Sequence, residues 1–437
     1  MIKSTGFDGM SLLRGLLGMA VVLGIAWLFS TDRKRIDWRL VASGLFLQVV
    51  MALAILYVPF IGVFFEYAGK VFIKLIGFTQ EGVAFLLGPY ASREQGVVFL
   101  IHSLTSLIFF SAMVSLLYHW GVVQRIVSAF SWLLRRILRG ISGAEGLVVA
   151  GNVFLGMNEA PLMIKNYIPR MNRSKLFLVM VSGMGTIAGT VMGAYIGMLG
   201  GNDPEAQVFF AKHLLSASVM AAPAAIVLAR MMYPQTGATD VQAAVTMKSE
   251  HRNAIEALAS GTLMGIKLMV NVAAMLLVFI ALVALVNYVF EGIIGRYTGL
   301  NSWVADVTGG KSEGFTIQFI LGAVMSPLMW VTGVPTDDMV TVGSLLGQKT
   351  VLNEFVAYFQ MQQWKNAGIF VYEKSVVMST YLLCGFANVA SIGMLVGGLS
   401  IMAPEKRSMI AGLGFKSMIA GTLVSILSAI IIGMIFG

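Results

Sequence analysis

Two glutamates lie inside long apolar stretches of the chain, and each directly follows an asparagine: Asn158-Glu159 and Asn353-Glu354. An ionisable side chain in apolar sequence is costly unless it is satisfied, so such groups usually serve a function. A carboxylate accepts strong hydrogen bonds, and a neutral ligand with hydroxyl or amide groups offers matching donors. The alternative is a buried ion pair or a helix-end contact that only locks packing, but the recurrence of the pair favours a ligand site.

The composition indicates the medium that surrounds these glutamates. Of the 437 residues, 57% are hydrophobic and 12% are charged, and the mean hydropathy is +0.83. Soluble domains usually carry about 25% charged residues. Long apolar runs recur along the chain, each able to cross a hydrocarbon core of about 30 Å. Only helices and closed barrels satisfy their backbone in lipid, and the short alternating segments of a barrel are absent. The chain is therefore predicted to be an all-α polytopic membrane protein.

The net charge of +9 does not indicate a nucleic-acid partner, because the basic residues lie in short loops between apolar runs. Cytoplasmic loops of membrane proteins are enriched in Lys and Arg. The basic segments at 32–39 and 125–139 therefore place the N-terminus outside, and an even number of spans predicts periplasmic N- and C-termini. The single cysteine, Cys384, excludes an internal disulfide.

Eight transmembrane helices are expected, together with two re-entrant hairpins at 144–171 and 315–362 that are interrupted by Gly, Pro and the Asn-Glu pairs. The stretch 62–96 is amphipathic and is expected to lie along the membrane interface. The expected transmembrane helices are 11–30, 40–60, 97–118, 175–199, 208–232, 263–290, 373–399 and 408–436.

The two halves of the chain repeat one plan: a hairpin, a glycine-broken span and a plain span. Because an odd number of crossings separates the halves, the repeats are expected to be inverted. Inverted repeats with interrupted helices are typical of secondary transporters, whose site lies near the midplane. The predicted organisation is scaffold spans and an interfacial helix at 1–140, a first repeat at 141–233, a linker and scaffold span at 234–310, and a second repeat at 311–437.

Three motifs on these elements resemble those of the concentrative nucleoside transporter family. They are GQKTVLNEFVAY at Gly347–Tyr358, GMNEAP at Gly156–Pro161 and CGFANVASIG at Cys384–Gly393. The resemblance covers nearly the whole chain in order and spacing. It implies a nucleoside as substrate, a homotrimer in the lipid bilayer, and no cofactor other than a coupling ion.

The resemblance also implies roles for individual residues. Ribose would be bound by Glu354, Asn388 and Ser391. The base would lie against the first hairpin and two apolar walls, which are formed by Gly156, Met157, Asn158, Glu159, Val191 and Phe386. Sodium would be held by Asn152, Leu155, Thr186 and Ile187. A hard cation without a carboxylate needs several carbonyl or hydroxyl oxygens, and these positions supply them.

Met157 and Asn158 depart from the commonest family pattern, which has Gln and Thr at these positions. A Gly-Met pair here and a Thr-Val pair in the next span accompany purine preference in animal relatives, and this chain has Gly156-Met157 and Thr190-Val191. A thioether tolerates a larger ring through contact alone. Transport that includes purine nucleosides is therefore expected.

The function predicted from these features is a sodium-coupled nucleoside symporter that imports nucleosides across a bacterial inner membrane by alternating access. A proton-coupled symporter of the same fold is the alternative, since Glu159 or Glu354 could titrate when desolvated. A channel would line one continuous polar path, whereas the polar groups here converge on one place. An enzyme is not expected: the four histidines show no metal-binding spacing, and no nucleophile pairs with a base.

Overall fold

The computed structural model describes residues 9–91, 98–235, 251–312 and 314–436. Most of the loop predicted at 234–254 and both chain ends lie outside these ranges. Within them the architecture is helical, as predicted. The α-helices are α1 (Gly9–Leu28), α2 (Trp38–Tyr57), α3 (Pro59–Leu87), α4 (Ser106–His119), α5 (Val122–Ile137), α6 (Gly143–Asn152), α7 (Arg173–Gly185), α8 (Gly189–Gly200), α9 (Pro204–Met232), α10 (Ala254–Asn287), α11 (Arg296–Thr298), α12 (Leu300–Thr308), α13 (Ile317–Val331), α14 (Met339–Val351), α15 (Glu354–Asn366), α16 (Glu373–Leu383), α17 (Val389–Met402) and α18 (Arg407–Ile435).

Eight helical stretches of the described chain are long and apolar enough to cross a membrane, which agrees with the predicted number. Their identity differs at two places. The stretch expected at the interface is the continuous helix α3, which is long and apolar enough to cross although it carries Glu66, Lys70, Lys74 and Glu81; Glu66 and Lys70 pair at 2.8 Å. The span expected at 373–399 is divided into α16 and α17, and α17 is a shorter apolar helix.

The order of helices in the two halves corresponds closely. In the first half, α5 and α6 precede the broken pair α7–α8 and the long helix α9. In the second half, α13, α14 and α15 precede the broken pair α16–α17 and the long helix α18. The helices α9 and α18 both have 29 residues. The glycine-broken span followed by a plain span is therefore present in each half, and the correspondence extends back to α5, ahead of the predicted boundary at 141.

The two predicted hairpins differ in the segment that follows the Asn-Glu pair. In the first, α6 is followed by short 3₁₀ turns at Ala160–Ile164 and Ile168–Arg170, which carry Pro161 and Pro169 in their first turns, where proline is tolerated. In the second, the limb after the Asn-Glu pair is the regular helix α15. Their re-entry into the membrane stays a prediction.

The core of the molecule is formed by the broken and long helices of both halves. The candidate span that comprises α7 and α8 is fully buried, and most of α9 and α18 is buried as well. By contrast, few residues of α10 are buried, and the helix packs through small residues on α4. A Cβ at Gly265 would lie 2.5 Å from the Cα of Ile108, so glycine permits this close helix contact. The molecule thus has a dense centre and a peripheral helix.

Buried carboxylates hold the starts of α6 and α14, the helices that precede the two Asn-Glu pairs. Glu145 of α6 receives a hydrogen bond at 2.5 Å from Arg230 of α9, which also donates to Ser174 of α7. Asp338, just before α14, accepts from the backbone of Val371 and Tyr372 at the start of α16. The first contact ties α6 to α9 and, through Arg230, to Ser174 of α7, and the second ties the start of α14 to the start of α16.

Candidate functional site

The site is centred on two helix breaks that meet each other. The first break, 186–188, separates α7 from α8, and the second, 384–388, separates α16 from α17. The backbone N–H of Phe386 donates to the carbonyl of Thr186 at 3.2 Å. Gly385 has φ of +158°, and a Cβ there would lie 3.0 Å from the carbonyl oxygen of Met184. Only glycine fits this contact without strain, and the breaks bring unwound backbone to the centre of the molecule.

Asparagine caps begin the two half-helices that face this centre. Asn388 is the N-cap of α17 and accepts from the N–H of Ser391 at 2.8 Å. Asn353 is the N-cap of α15 and accepts from the N–H of Val356 at 2.9 Å. Side-chain oxygens at this position satisfy amides that have no partner within the helix. The caps therefore explain why α15 starts at Glu354 and why α17 starts at Val389.

Glu354 connects three elements through its carboxylate. Its Oε1 accepts from the hydroxyl of Tyr195 in α8 at 3.1 Å, and its Oε2 accepts from Nδ2 of Asn388 at 3.0 Å. Its side chain is buried. Hydrogen bonds to an ionised group are stronger than neutral ones, and the N-terminus of α15 favours a negative charge. A carboxylate held in this way presents a fixed acceptor to a polyol.

Ser391 and Phe386 lie beside this carboxylate group on the same broken helix. The Oγ of Ser391 is buried and has no hydrogen-bond partner in the described part of the chain. Phe386 is half-buried, and its carbonyl accepts from the N–H of Asn388. The structure thus brings Glu354, Asn388 and Ser391 together, and their binding of one ligand stays a prediction.

The first hairpin lies next to the first break. Met157 is buried against α7, where a Cβ on Gly183 would lie 2.7 Å from the Met157 Cβ. Gly156 is near the break, since its own Cβ would lie 3.4 Å from the Cβ of Ala188. Val191 is buried in the first turn of α8. Met157 and Val191 are therefore buried apolar side chains beside the first break, and Gly156 lies next to it.

Asn158 and Glu159 are more exposed than the predicted buried motif suggested. Asn158 is exposed and its Oδ1 would lie 2.9 Å from a Cβ on Gly398 of α17. Glu159 is partly exposed, and its carboxylate has no hydrogen-bond partner among the described residues. The structure therefore does not bond Glu159 to the Glu354 group, and leaves its carboxylate free to accept from a ligand.

The predicted sodium residues cluster where α6 and α7 end. Nδ2 of Asn152 donates to Oγ of Ser182 at 2.8 Å, and Oγ1 of Thr186 donates to the Ser182 carbonyl at 2.9 Å. Oδ1 of Asn152 is buried without a partner in the described ranges. Leu155 and Ile187 are buried in the adjacent turn and break. An unpartnered amide oxygen beside the carbonyl end of a helix suits a hard cation.

Three residues of this region were missed by the sequence analysis: Tyr195, Ser182 and Lys349. Tyr195 lies in a glycine-rich apolar half-helix without a motif, and its ring packs on Phe355 and Tyr358 of α15. Ser182 carries no distinguishing pattern. Lys349, by contrast, stands inside the GQKTVLNEFVAY motif, and its charge in apolar sequence was a signal that could have identified it.

Three family models match successive parts of the chain. A model described as "Na+ dependent nucleoside transporter N-terminus" matches residues 17–90, one described as "Nucleoside recognition" matches residues 100–202, and one described as "Na+ dependent nucleoside transporter C-terminus" matches residues 213–433. Together they cover both predicted hairpins and both broken helices.

Two bacterial relatives and one solved structure match over almost their full lengths. An uncharacterized transporter of Haemophilus influenzae is 38% identical over 98% of this chain and 99% of the relative. The nucleoside permease NupC of Helicobacter pylori is 35% identical over 98% of both chains. Among solved structures, CNTnw in an inward-facing substrate-bound state superposes with a TM-score of 0.87 at 38% identity, covering 97% of each chain.

Proposed function

The chain belongs to the concentrative nucleoside transporter family, and from this we propose that it is a sodium-coupled symporter importing nucleosides, including purine nucleosides, across the inner membrane by alternating access. As a member of this family it is a nucleoside transporter and not an enzyme. The observation that carries the proposal is the Glu354 carboxylate held by Tyr195 and Asn388 at the crossing of the two breaks.

In this proposal Glu354 accepts hydrogen bonds from the ribose hydroxyls of the nucleoside. Asn388 and Ser391 complete the group, and the buried Ser391 Oγ is available to bond the sugar. A ribose offers two adjacent hydroxyl donors, which match a carboxylate better than they match a neutral amide. Burial increases the value of each bond because water is excluded from competing.

The base lies against the first hairpin in the proposed complex. Met157, Gly156 and Val191 provide apolar contact, and Asn158 and Glu159 provide polar groups at the more exposed edge. Apolar contact grows with buried area, so a two-ring purine gains at least as much as a pyrimidine. This supports transport of purine nucleosides.

Sodium is proposed to bind at the shared end of α6 and α7. Oδ1 of Asn152 and the oxygen of Thr186 would coordinate it, together with backbone carbonyls at Leu155 and Ile187. The site lies at the first break, while Phe386 of the second break bonds the Thr186 carbonyl. Ion binding that orders the first break would therefore also order the substrate-binding break, which gives a physical basis for coupling.

The assembly and location are proposed from the same resemblance. The peripheral helix α10 exposes large apolar side chains, including Leu263, Leu277 and Leu285, which suit lipid or a neighbouring protomer of a homotrimer. The bacterial relatives and the basic loops support a multi-pass inner-membrane protein with periplasmic termini.

Counterflow of labelled nucleosides in liposomes tests the proposal. Vesicles loaded with unlabelled uridine should trap labelled uridine and adenosine when sodium is present on both sides, and trap far less when choline replaces it. Vesicles that contain the Glu354→Gln protein measure the amount of label trapped without transport. Trapping that is indifferent to sodium, with uptake that collapses on adding a protonophore, would replace this proposal by the proton-coupled symporter.

A further inference from the structure

Lys349 is a fully buried lysine in the last turn of α14 that the proposed mechanism does not use. Its Nζ donates to the carbonyl of Leu382 at 2.8 Å and to Oγ of Ser425 at 3.0 Å. No carboxylate pairs with it directly in the described part of the chain, although it lies close enough to interact electrostatically with Glu354. A buried ammonium without a direct ion pair is costly, so its retention calls for a functional reason.

The ammonium is bound to the carbonyl end of the half-helix α16. The last carbonyls of a helix have no partner within it and carry a partial negative charge. In α16, the Thr380 carbonyl accepts from the hydroxyl of Tyr358 and the Leu382 carbonyl accepts from Lys349. Ser425, which accepts from Lys349, in turn donates to the carbonyl of Cys384 in the second break. Lys349 thus supplies a positive charge where the second break begins.

The corresponding place in the first half is the proposed sodium site. There the end of α6 meets the last turn of α7 through the Asn152–Ser182 hydrogen bond, just as the end of α14 meets the last turn of α16 through Lys349 and Leu382. The two places differ in one respect. In the first half an amide oxygen, Asn152 Oδ1, is buried without a partner among the described residues, whereas in the second half an ammonium fills the position.

We propose that Lys349 is a fixed cation of the second repeat, standing where the first repeat binds its sodium ion, and that it limits the transporter to one sodium ion per nucleoside. This inference rests on the proposed sodium coupling. In this proposal the carbonyl end of α7 faces a sodium ion, which can leave, and the carbonyl end of α16 faces the Lys349 ammonium, which is covalently attached. Because the attached charge cannot leave, only the first repeat contributes a coupling ion.

The test measures how nucleoside binding depends on sodium in Lys349→Met, a neutral side chain of similar length. The matched control is Lys365→Met, because Lys365 also donates to a helix-end carbonyl, that of Leu199, but away from the breaks. For wild type and the control, the Hill slope for sodium should be about one. For Lys349→Met the slope should rise toward about two, with weaker apparent sodium affinity and binding recovered at high sodium, because a second ion replaces the ammonium.

Two results in a monodisperse Lys349→Met protein would overturn the proposal: a slope of about one with wild-type nucleoside affinity, or loss of binding that no sodium concentration restores. If that variant does not fold, the number of charges that wild-type protein moves per nucleoside in liposomes tests the proposal. One charge per nucleoside supports a fixed cation, and two contradict it. Lys349→Arg keeps the positive charge and should also move one charge per nucleoside. Wild-type transport without any sodium dependence would instead refute the proposed function itself.

Discussion

At the scale of single residues, the site depends on how completely each buried polar atom is satisfied. Glu354 has a donor on each oxygen, from Tyr195 and Asn388, so its carboxylate is fixed before a ligand arrives. Ser391 Oγ and Asn152 Oδ1 are buried without partners in the described ranges. An unsatisfied buried polar atom costs about 1–3 kcal/mol, and a ligand that bonds it removes this cost. These two are among several such atoms, and they belong to the residues to which the nucleoside and the ion are assigned.

Glu354→Gln should abolish nucleoside uptake while the protein still inserts into the membrane. The amide retains the size of the side chain but loses the charge-assisted bonds, which should cost about 1.5–3 kcal/mol of binding free energy. Calorimetry on purified protein measures this directly. The control is Glu373→Gln, an exposed carboxylate at the start of α16. Near wild-type affinity in Glu354→Gln would defeat the assignment of this residue to the ribose.

Met157→Gln should shift selectivity toward pyrimidine nucleosides, because an added amide can bond their polar edge. The shift should be about one hydrogen bond, roughly 0.5–1.5 kcal/mol, or several-fold in relative affinity. Competition against labelled uridine measures it, and Met157→Leu, which remains apolar, is the control. Adenosine and inosine that compete much more weakly than cytidine in wild type, with no change in Met157→Gln, would refute the purine assignment.

Motifs in the sequence identified residues that the structure places close together, and their roles stay predictions. Glu354, Asn388 and Ser391 stand in two motifs, and the structure brings them together. Tyr195 could not be predicted, because its role arises only when α8 packs on α15, a contact between residues 159 positions apart. Glu159 was expected in the same apolar setting as Glu354 but is more exposed, and the chain after it forms short 3₁₀ turns instead of a regular helix.

At the scale of elements, the breaks in α7–α8 and α16–α17 determine what the hairpins can reach. The sequence predicted both broken spans from their glycines, and the structure confirms a break in each. It did not predict that the breaks contact each other through Thr186 and Phe386, because that contact depends on the packing of the two halves. It also placed α3 along the interface, where the structure has a continuous helix long and apolar enough to cross.

Gly183→Ala should weaken nucleoside binding by displacing the turn of the first hairpin. The new methyl group would lie 2.7 Å from the Met157 Cβ, so the turn must move away from α7. Overpacking of this kind costs about 1–3 kcal/mol. Gly397→Ala is the matched control, because a Cβ there meets nothing within 4 Å. Binding affinity and thermal stability are measured together, and equal affinities in the two variants would show that the turn does not shape the base pocket.

Asn152→Ala should flatten the dependence of nucleoside affinity on sodium. Linkage requires that sodium raise nucleoside affinity by the same factor as nucleoside raises sodium affinity, and removing a sodium ligand reduces both equally. Calorimetric titrations across sodium concentrations measure the two factors. Asn172→Ala removes an amide that caps α7 at its exposed start and is the control. A sodium dependence as steep as that of wild type would exclude Asn152 from the ion site.

At the scale of the whole molecule, the buried centre and the exposed α10 divide the chain into parts with different surroundings. The Glu145 contact ties α6 to α9, and the Asp338 contact ties the start of α14 to the start of α16. One sodium ion supplies enough energy for import. A membrane potential of about 150 mV is worth about 3.5 kcal/mol per charge, and a tenfold sodium gradient adds about 1.4 kcal/mol. Together they sustain an accumulation of roughly several thousand-fold.

Uptake of labelled uridine into liposomes driven only by an inward sodium gradient is the decisive test of sodium-coupled symport. With wild-type protein, uridine should rise above its external concentration, fall back as the gradient dissipates, and accumulate further when the interior is made negative. Liposomes with choline in place of sodium, and liposomes with Glu354→Gln protein, should only approach equilibrium slowly. Uridine that never exceeds its external concentration, or accumulates equally in choline, would contradict sodium-coupled nucleoside symport.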